Sequence, residues 1–346
     1  MLQAIYTIIS LQVLILAFVI YLILHRFVEN LLRCYAERRR RYFEPHVLNL
    51  LDDPTATEPL ERGLFPHDRK FIKELLLQQA YQLKGEDRRN MVTVFEKLGY
   101  VKGEMIALRS KRWWRRLEAA INLGTMQSHD AVSVLIGAVR DPVEDVRLAS
   151  VRALGQLNEP RGLQVLLEAI EKGDRSTGSN VVKVLVGMGP SIASEIISRL
   201  KSTTNFNARL LYVQISGLLR LDAALEVLLL LLGDPDKETR ASAARALGQI
   251  GDVTAVESLI VLLDDKSWEV KAQAAKALGM LGDKQAVRKL KQALTDENWW
   301  VRHNAAYSLC QLGKEGIDAL REASRPSEGA PSTAAIQILA EITLGV

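Results

Sequence analysis

From Trp113 onward, apolar side chains recur three and four residues apart in blocks of about a dozen, the spacing of amphipathic helices. In residues 269–281, Val270, Ala274, Ala277, Leu278 and Leu281 share one face. In 284–294, Val287, Leu290 and Leu294 do the same. Gly282 lies between them, where a left-handed stop is cheapest for glycine. Neither short helix can bury its apolar face alone, so the pair predicts stacking on neighbouring pairs.

The pair repeats. A step of 31 from Arg116 reaches Arg147, Gly178, Arg209, Arg240, Lys271 and Arg302, and from Gly124 it reaches Gly155, Val186, Gly217, Gly248, Gly279 and Cys310. From Asp141 it reaches Lys172, Thr203, Asp234, Asp265 and Asp296. Seven windows keep this register from Trp113 to Gly329 without an inserted residue. Fixed self-similarity of this length is the signature of a solenoid. Alanine pairs at 243–244, 274–275 and 305–306 let paired helices approach closely.

The unit resembles the HEAT repeat, especially the short bacterial, phycobilin-lyase-type form. Asp234, Thr239-Arg240, Ala243-Ala244 and Leu247-Gly248 carry the resemblance, as do Asp296, Val301-Arg302 and Ala305-Ala306. It implies an all-α fold, a right-handed α-solenoid of helix pairs. It implies no particular chemistry, because fold does not fix function.

The start of the chain is different. Residues 4–24 carry no charge over twenty-one positions, and such a helix spans about 30 Å, the thickness of a bilayer core. Tyr6 and Tyr21 sit near its ends, where amphipathic rings favour the interface. A cleaved signal peptide would need a basic start and a small-residue cleavage site, and Met1-Leu2-Gln3 offers no such start. The reading is one transmembrane helix retained as an anchor. Arg26, Arg33 and Arg38 to Arg41 all follow it, which by the positive-inside rule predicts a cytoplasmic C-terminal solenoid. A single-pass protein of the bacterial cytoplasmic membrane is the expectation.

Domain boundaries follow. Residues 1–24 form the anchor, and 25–69 a juxtamembrane basic helix and Pro-rich joint. Residues 70–112 form degenerate N-terminal capping helices, 113–325 the solenoid, and 326–346 a C-terminal loop and capping helix. The third window, 175–205, departs most from the repeat, with Gly178 in the basic position and Gly187, Gly189 and Pro190 near its helix junction. Drift within a repeat and a hinge both fit. The leucines at 225 and 228–232 read as a buried core helix.

The net charge of the 346 residues is only +4, so a general nucleic-acid surface is not implied and no nucleic acid is expected as partner. Cys34 and Cys310 form no CxxC motif, which suits a reducing compartment. None of the five histidines belongs to an HExxH or pairs with a cysteine at metal-ligand spacing. The chain has no phosphate-binding loop, no GxSxG and no EF-hand loop. Deoxyhypusine hydroxylase uses His-Glu pairs on HEAT repeats to hold iron, and no His-Glu dipeptide occurs here. Neither catalytic residues, nor a metal site, nor a cofactor is therefore expected.

The fixed phase of Arg and Asp predicts an inter-repeat ladder, each aspartate meeting the arginine of the helix that follows it. Trp113, Phe206, Trp268 and Trp299 share a phase and read as packing residues at helix entrances. Arg38, Arg39, Arg40 and Arg41, with Arg112, Arg115 and Arg116 beside Trp113-Trp114, are the candidate contacts to a partner or to lipid. The expected function is a non-catalytic scaffold that binds and positions or regulates a membrane-associated enzyme or transport complex. The alternative is a lyase-type accessory holding a small ligand or protein substrate in its groove.

Overall fold

The computed structural model describes residues 2–55, 57–61, 66–172, 175–325 and 332–344, without the side chains of 2–15, 17, 28–29, 31–33, 36, 51–52, 59, 61, 66–67, 175–177 and 342–344. The described elements are helices and the fold is an all-helical solenoid of paired helices. It comprises two compact units, Met1–Ala153 and Leu154–Val346.

In the second unit a long first helix opens each repeat: Arg175–Met188, Phe206–Leu218, Lys237–Ile250, Trp268–Leu281 and Trp299–Gln311. Each packs on the next. Small residues set their separation, for Ala243, Ala244, Ala274, Ala275, Ala305 and Ala306 are all fully buried. The periodic glycine completes the fit. A methyl group on Gly248 would sit 2.8 Å from Ala277 Cα, and one on Gly217 would sit 2.8 Å from Ala246 Cα. Contact with backbone leaves nothing that can rotate away, so glycine is required wherever the next helix comes this close.

The second helices are shorter than the sequence pattern suggests. A 3₁₀ turn, as at Lys284–Ala286, precedes an α-segment of two turns, Val287–Ala293. The leucine-rich example, Leu225–Leu231, is amphipathic rather than wholly buried: Leu228 is fully buried while Leu230 is 74% exposed.

The backbone period is stricter than the residue period. Gln127, Asn158, Gly189, Arg220, Gly251, Gly282 and Gly313 all have positive φ, and each lies 31 residues after the last. Four of these seven are glycine, while Gln127, Asn158 and Arg220 accept the left-handed region at a cost of about 1–2 kcal/mol each. Gly189 is thus the ordinary helix stop of the divergent third window, placed in register with the others. This also accounts for the stretch Gly178–Ser202, whose length and composition would suffice to cross a membrane. Gly189 divides it into two helices that bury Val181, Leu185, Ile196 and Leu200, as solenoid core.

In the first unit, helix Leu2–Asp52 runs unbroken through Pro45, where the prolines predicted a joint. Phe43, Val47 and Leu50 are buried to 1% exposure on one face. Burying three large side chains outweighs the hydrogen bond a proline removes, roughly 1.5–3 kcal/mol each against about 3. Arg39 fixes the same segment, its Nε donating to Asp68 Oδ1 at 2.9 Å, with Asp68 1% exposed. The helices Pro66–Ala80, Gly85–Lys97 and Tyr100–Ala107 pack against Trp113–Met126. Lys73 Nζ donates to the buried Glu104 at 2.6 Å and Tyr100 Oη to Arg69 O at 2.9 Å. Burial pushes the Tyr100 phenol up to about 12. At the far end Thr333–Leu344 buries Ala334, Ala335 and Ile338 as a closing helix. The polar loop before it, 326–331, lies outside the described residues.

Candidate functional site

The ladder exists, but its connections differ from the sequence expectation. Arg116 and Arg240 each donate to carbonyls of their own loop, five and six residues back, and to the aspartate of the next loop, 25 residues on. Arg240 Nη1 reaches Asp234 O at 2.9 Å and Pro235 O at 3.0 Å, while Nε and Nη2 grip Asp265 at 2.8 and 2.9 Å. Arg116 does the same with Ser110 O and Asp141, and Lys271 pairs with Asp296. Arg147 and Arg302 make the carbonyl bonds. An aspartate therefore meets the following arginine through its backbone oxygen and the preceding one through its carboxylate. The carboxylate also accepts a backbone N–H two residues on, at Val143, Asp236, Ser267 and Asn298. Such bidentate, charge-assisted bonds are the strong kind, and here they hold loops to helices.

Among the described residues the divergent window lacks the ladder and has another polar cluster. Glu171 accepts from Thr203 Oγ1 at 2.9 Å and from Tyr212 Oη at 3.1 Å, and its carbonyl accepts from Asn205 Nδ2 at 2.8 Å. Burial, then the Glu171 charge, raises the Tyr212 phenol well above its ordinary value.

These pairings set a pH dependence. The hydrogen bond from Arg116 holds the Asp141 carboxyl below its usual range. At Asp265 burial acts upward, but the bonds from Arg240 and from Ser267 N–H together outweigh it, and the net shift is downward. A carboxyl lowered on folding contributes stability above its unfolded pKa, about 3.9, and loses it as pH falls through the folded value. The melting temperature should hold level from neutrality to about pH 5 and then fall. Replacing Asp265 by Asn should flatten that acid limb in a circular-dichroism series.

The candidate contact arginines divide in two. Arg116 is committed to Asp141, Arg39 to Asp68, and Arg40 lies 3.7 Å from Glu44 on its own helix. Arg38, Arg41, Arg112 and Arg115 are exposed, Arg112 lying over the Trp114 ring at 5.6 Å. The phased aromatics are less packed than expected: Trp113, Phe206, Trp268 and Trp299 keep 38–45% of their surface in solvent. Trp299 stacks on His303 at 4.8 Å. His303 Nδ1 is a buried atom with no hydrogen-bond partner. Among the described residues no three of His, Cys, Asp and Glu gather as a metal site.

A further surface went unremarked in the sequence. Across Arg175–Met188, Phe206–Leu218 and Lys237–Ile250 runs an open groove of about 300 Å³, with Leu211, Gln214, Leu218, Arg245 and Gln249 among its walls. Its exposed crest continues in register as Lys183, Gln214, Arg245, Lys276 and Tyr307. The same 31-residue step that found the ladder would have found this row.

A family model described as HEAT repeats matches residues 105–184, 193–266 and 256–340. No curated protein matches the chain. Among solved structures, the chain is similar to the complex of CpcE and CpcF of phycocyanin lyase from Nostoc sp. PCC7120, at 20% identity over 71% of this chain and 94% of that one, with a TM-score of 0.34. Human deoxyhypusine hydroxylase in complex with glycerol is similar at 18% identity, 80% and 99% coverage and a TM-score of 0.31. Kap121p bound to Pho4p is similar at 12% identity, 86% and 40% coverage and a TM-score of 0.49.

Proposed function

The chain belongs to the HEAT-repeat family, and from that premise we propose a membrane-anchored, cytoplasm-facing scaffold that binds a partner protein and positions or regulates it. The partner class is a membrane-associated enzyme or transport complex, and the scaffold itself is not an enzyme. One observation carries the binding role. The first helices of the second unit present a groove that crosses three repeats, lined by amides, leucines and Arg245. A surface shared by several repeats suits a partner surface or segment better than a single reacting group.

The anchor is supported by what surrounds the first helix. Leu16, Phe18, Val19, Ile20, Tyr21, Leu22, Ile23 and Leu24 are 43–63% exposed, so this part of the helix is apolar on every side. Such a surface needs an apolar medium. The rest of the run, 4–15 and 17, lies outside the described side chains. Sodium carbonate washing should leave the intact protein in the membrane pellet, and protease added to spheroplasts should spare a C-terminal tag. Release by carbonate would remove the anchor, and digestion of the tag would reverse the topology. The lyase-type alternative predicts a different result, loss of function on replacing a single histidine or cysteine with folding intact.

A further inference from the structure

We infer that the crest of the first helices in the second unit binds an acidic peptide in an extended, polyproline II-like conformation, with a carboxylate at every third residue. This rests on the scaffold reading and names the chemistry of the bound segment.

The crest residues Lys183, Gln214, Arg245, Lys276 and Tyr307 are exposed and occupy one phase of five successive helices. Among the described residues Lys183, Arg245 and Lys276 form no ion pair, and Arg245 donates only to Gln273 Oε1, at 3.3 Å. The other periodic basic row of these helices, five residues earlier, is spent on aspartates at Arg209, Arg240 and Lys271. Glu238 and Glu269 begin the same helices, about 10 Å away along the axis, and Glu269 is engaged by Lys237. The crest is therefore positive where a ligand crossing the helices would lie.

Pitch selects the ligand. Packed helices lie about 8–10 Å apart, and the alanine and glycine contacts keep these close. A polyproline II chain turns every three residues and rises about 9.3 Å per turn, so every third side chain meets a new helix. A β-strand repeats on one face about every 6.7 Å and would lose register within two repeats. Acidic side chains at that spacing reach Lys183, Arg245 and Lys276, with the Gln214 amide donating to the one between. Leu211 and Leu218 in the groove accept the intervening apolar residues.

The test is fluorescence anisotropy of the full-length protein in mild detergent, using labelled (Glu-Pro-Pro)4 as probe. Saturable binding is expected. The variant carrying Lys183→Glu, Arg245→Glu and Lys276→Glu should bind at least about tenfold more weakly. A control with Lys201→Glu and Lys314→Glu, exposed residues off the row, should bind as wild type. The single substitutions Arg245→Gln and Lys276→Gln, with unchanged melting, should each weaken binding and cover any misfolding of the triple variant. The peptide (Glu-Pro)6 carries more charge at the wrong spacing and should bind less well. Absence of saturable binding, equal binding by the charge-reversed row, tighter binding of (Glu-Pro)6, or tighter binding of a twelve-nucleotide single strand would each overturn the inference. None of these outcomes bears on carbonate extraction, so the anchored-scaffold reading stands or falls separately.

Discussion

Ala274→Asp is expected to produce the largest loss of stability of any single exchange of a buried apolar residue for a charged one in the second unit. Ala274 lies at 0% exposure on Trp268–Leu281, a helix packed against Lys237–Ile250 on one side and Trp299–Gln311 on the other. A carboxylate there would be cut off from water. An uncompensated buried charge costs about 3–5 kcal/mol, unless the group takes up a proton instead. Because solenoid stability is a sum over neighbouring repeats, unfolding should begin around this helix rather than everywhere at once. Ala243→Asp should behave alike. Lys276→Asp, two residues on but exposed, should change stability by less than about 0.5 kcal/mol. Chemical denaturation followed by circular dichroism measures all three. Unchanged midpoints for both alanine variants would mean that the close-packed face is elsewhere.

Arg240→Ala should be second. Arg240 is 6% exposed and donates four hydrogen bonds, two to loop carbonyls behind it and two to Asp265 ahead. Its removal leaves the Asp265 carboxylate half-buried and unpaired and strips both carbonyls of a donor. Hydrogen bonds to charged groups contribute about 1.5–3 kcal/mol, and orphaned acceptors cost about 1–3, so a loss of about 2–4 kcal/mol is expected. Arg240→Lys should recover only part of it, since one ammonium cannot serve carbonyls and carboxylate together. Adding Asp265→Ala to Arg240→Ala should cost less than the sum of the single losses, because no unpaired charge then remains. Strict additivity in denaturant titrations would show that the two side chains do not act as a pair.

Much of the fold was legible because the repeat imposes itself on residue type. The alanine pairs, the glycine at Gly217 and Gly248 and the basic row at Arg209, Arg240 and Lys271 each mark a contact that only a few residue types satisfy. What escaped was set by geometry that several types can meet. Arg220 and Asn158 have positive φ as Gly251 does, so the helix stop is visible in the backbone and hidden in the letters. Pro45 reads as a joint, yet tertiary burial of Phe43, Val47 and Leu50 carries the helix past it. The ladder's phase was readable, but whether a carboxylate turns to the arginine before or after it depends on the loop's Asx turn. The crest was missed for another reason. Lys183, Arg245 and Lys276 look like ordinary solvated lysines and arginines until the helices are seen to line them up.

The proposal that the first-helix face is where a partner docks can be tested by site-specific photocrosslinking in intact cells. A photoreactive residue would be placed at Gln214 or Lys276 on that face, and at Leu230 or Val261 on the second helices, which are equally open to solvent. A discrete protein adduct from Gln214 and Lys276, absent from Leu230 and Val261, is the predicted result. Adducts confined to the second-helix positions, or none from either face, would contradict the account.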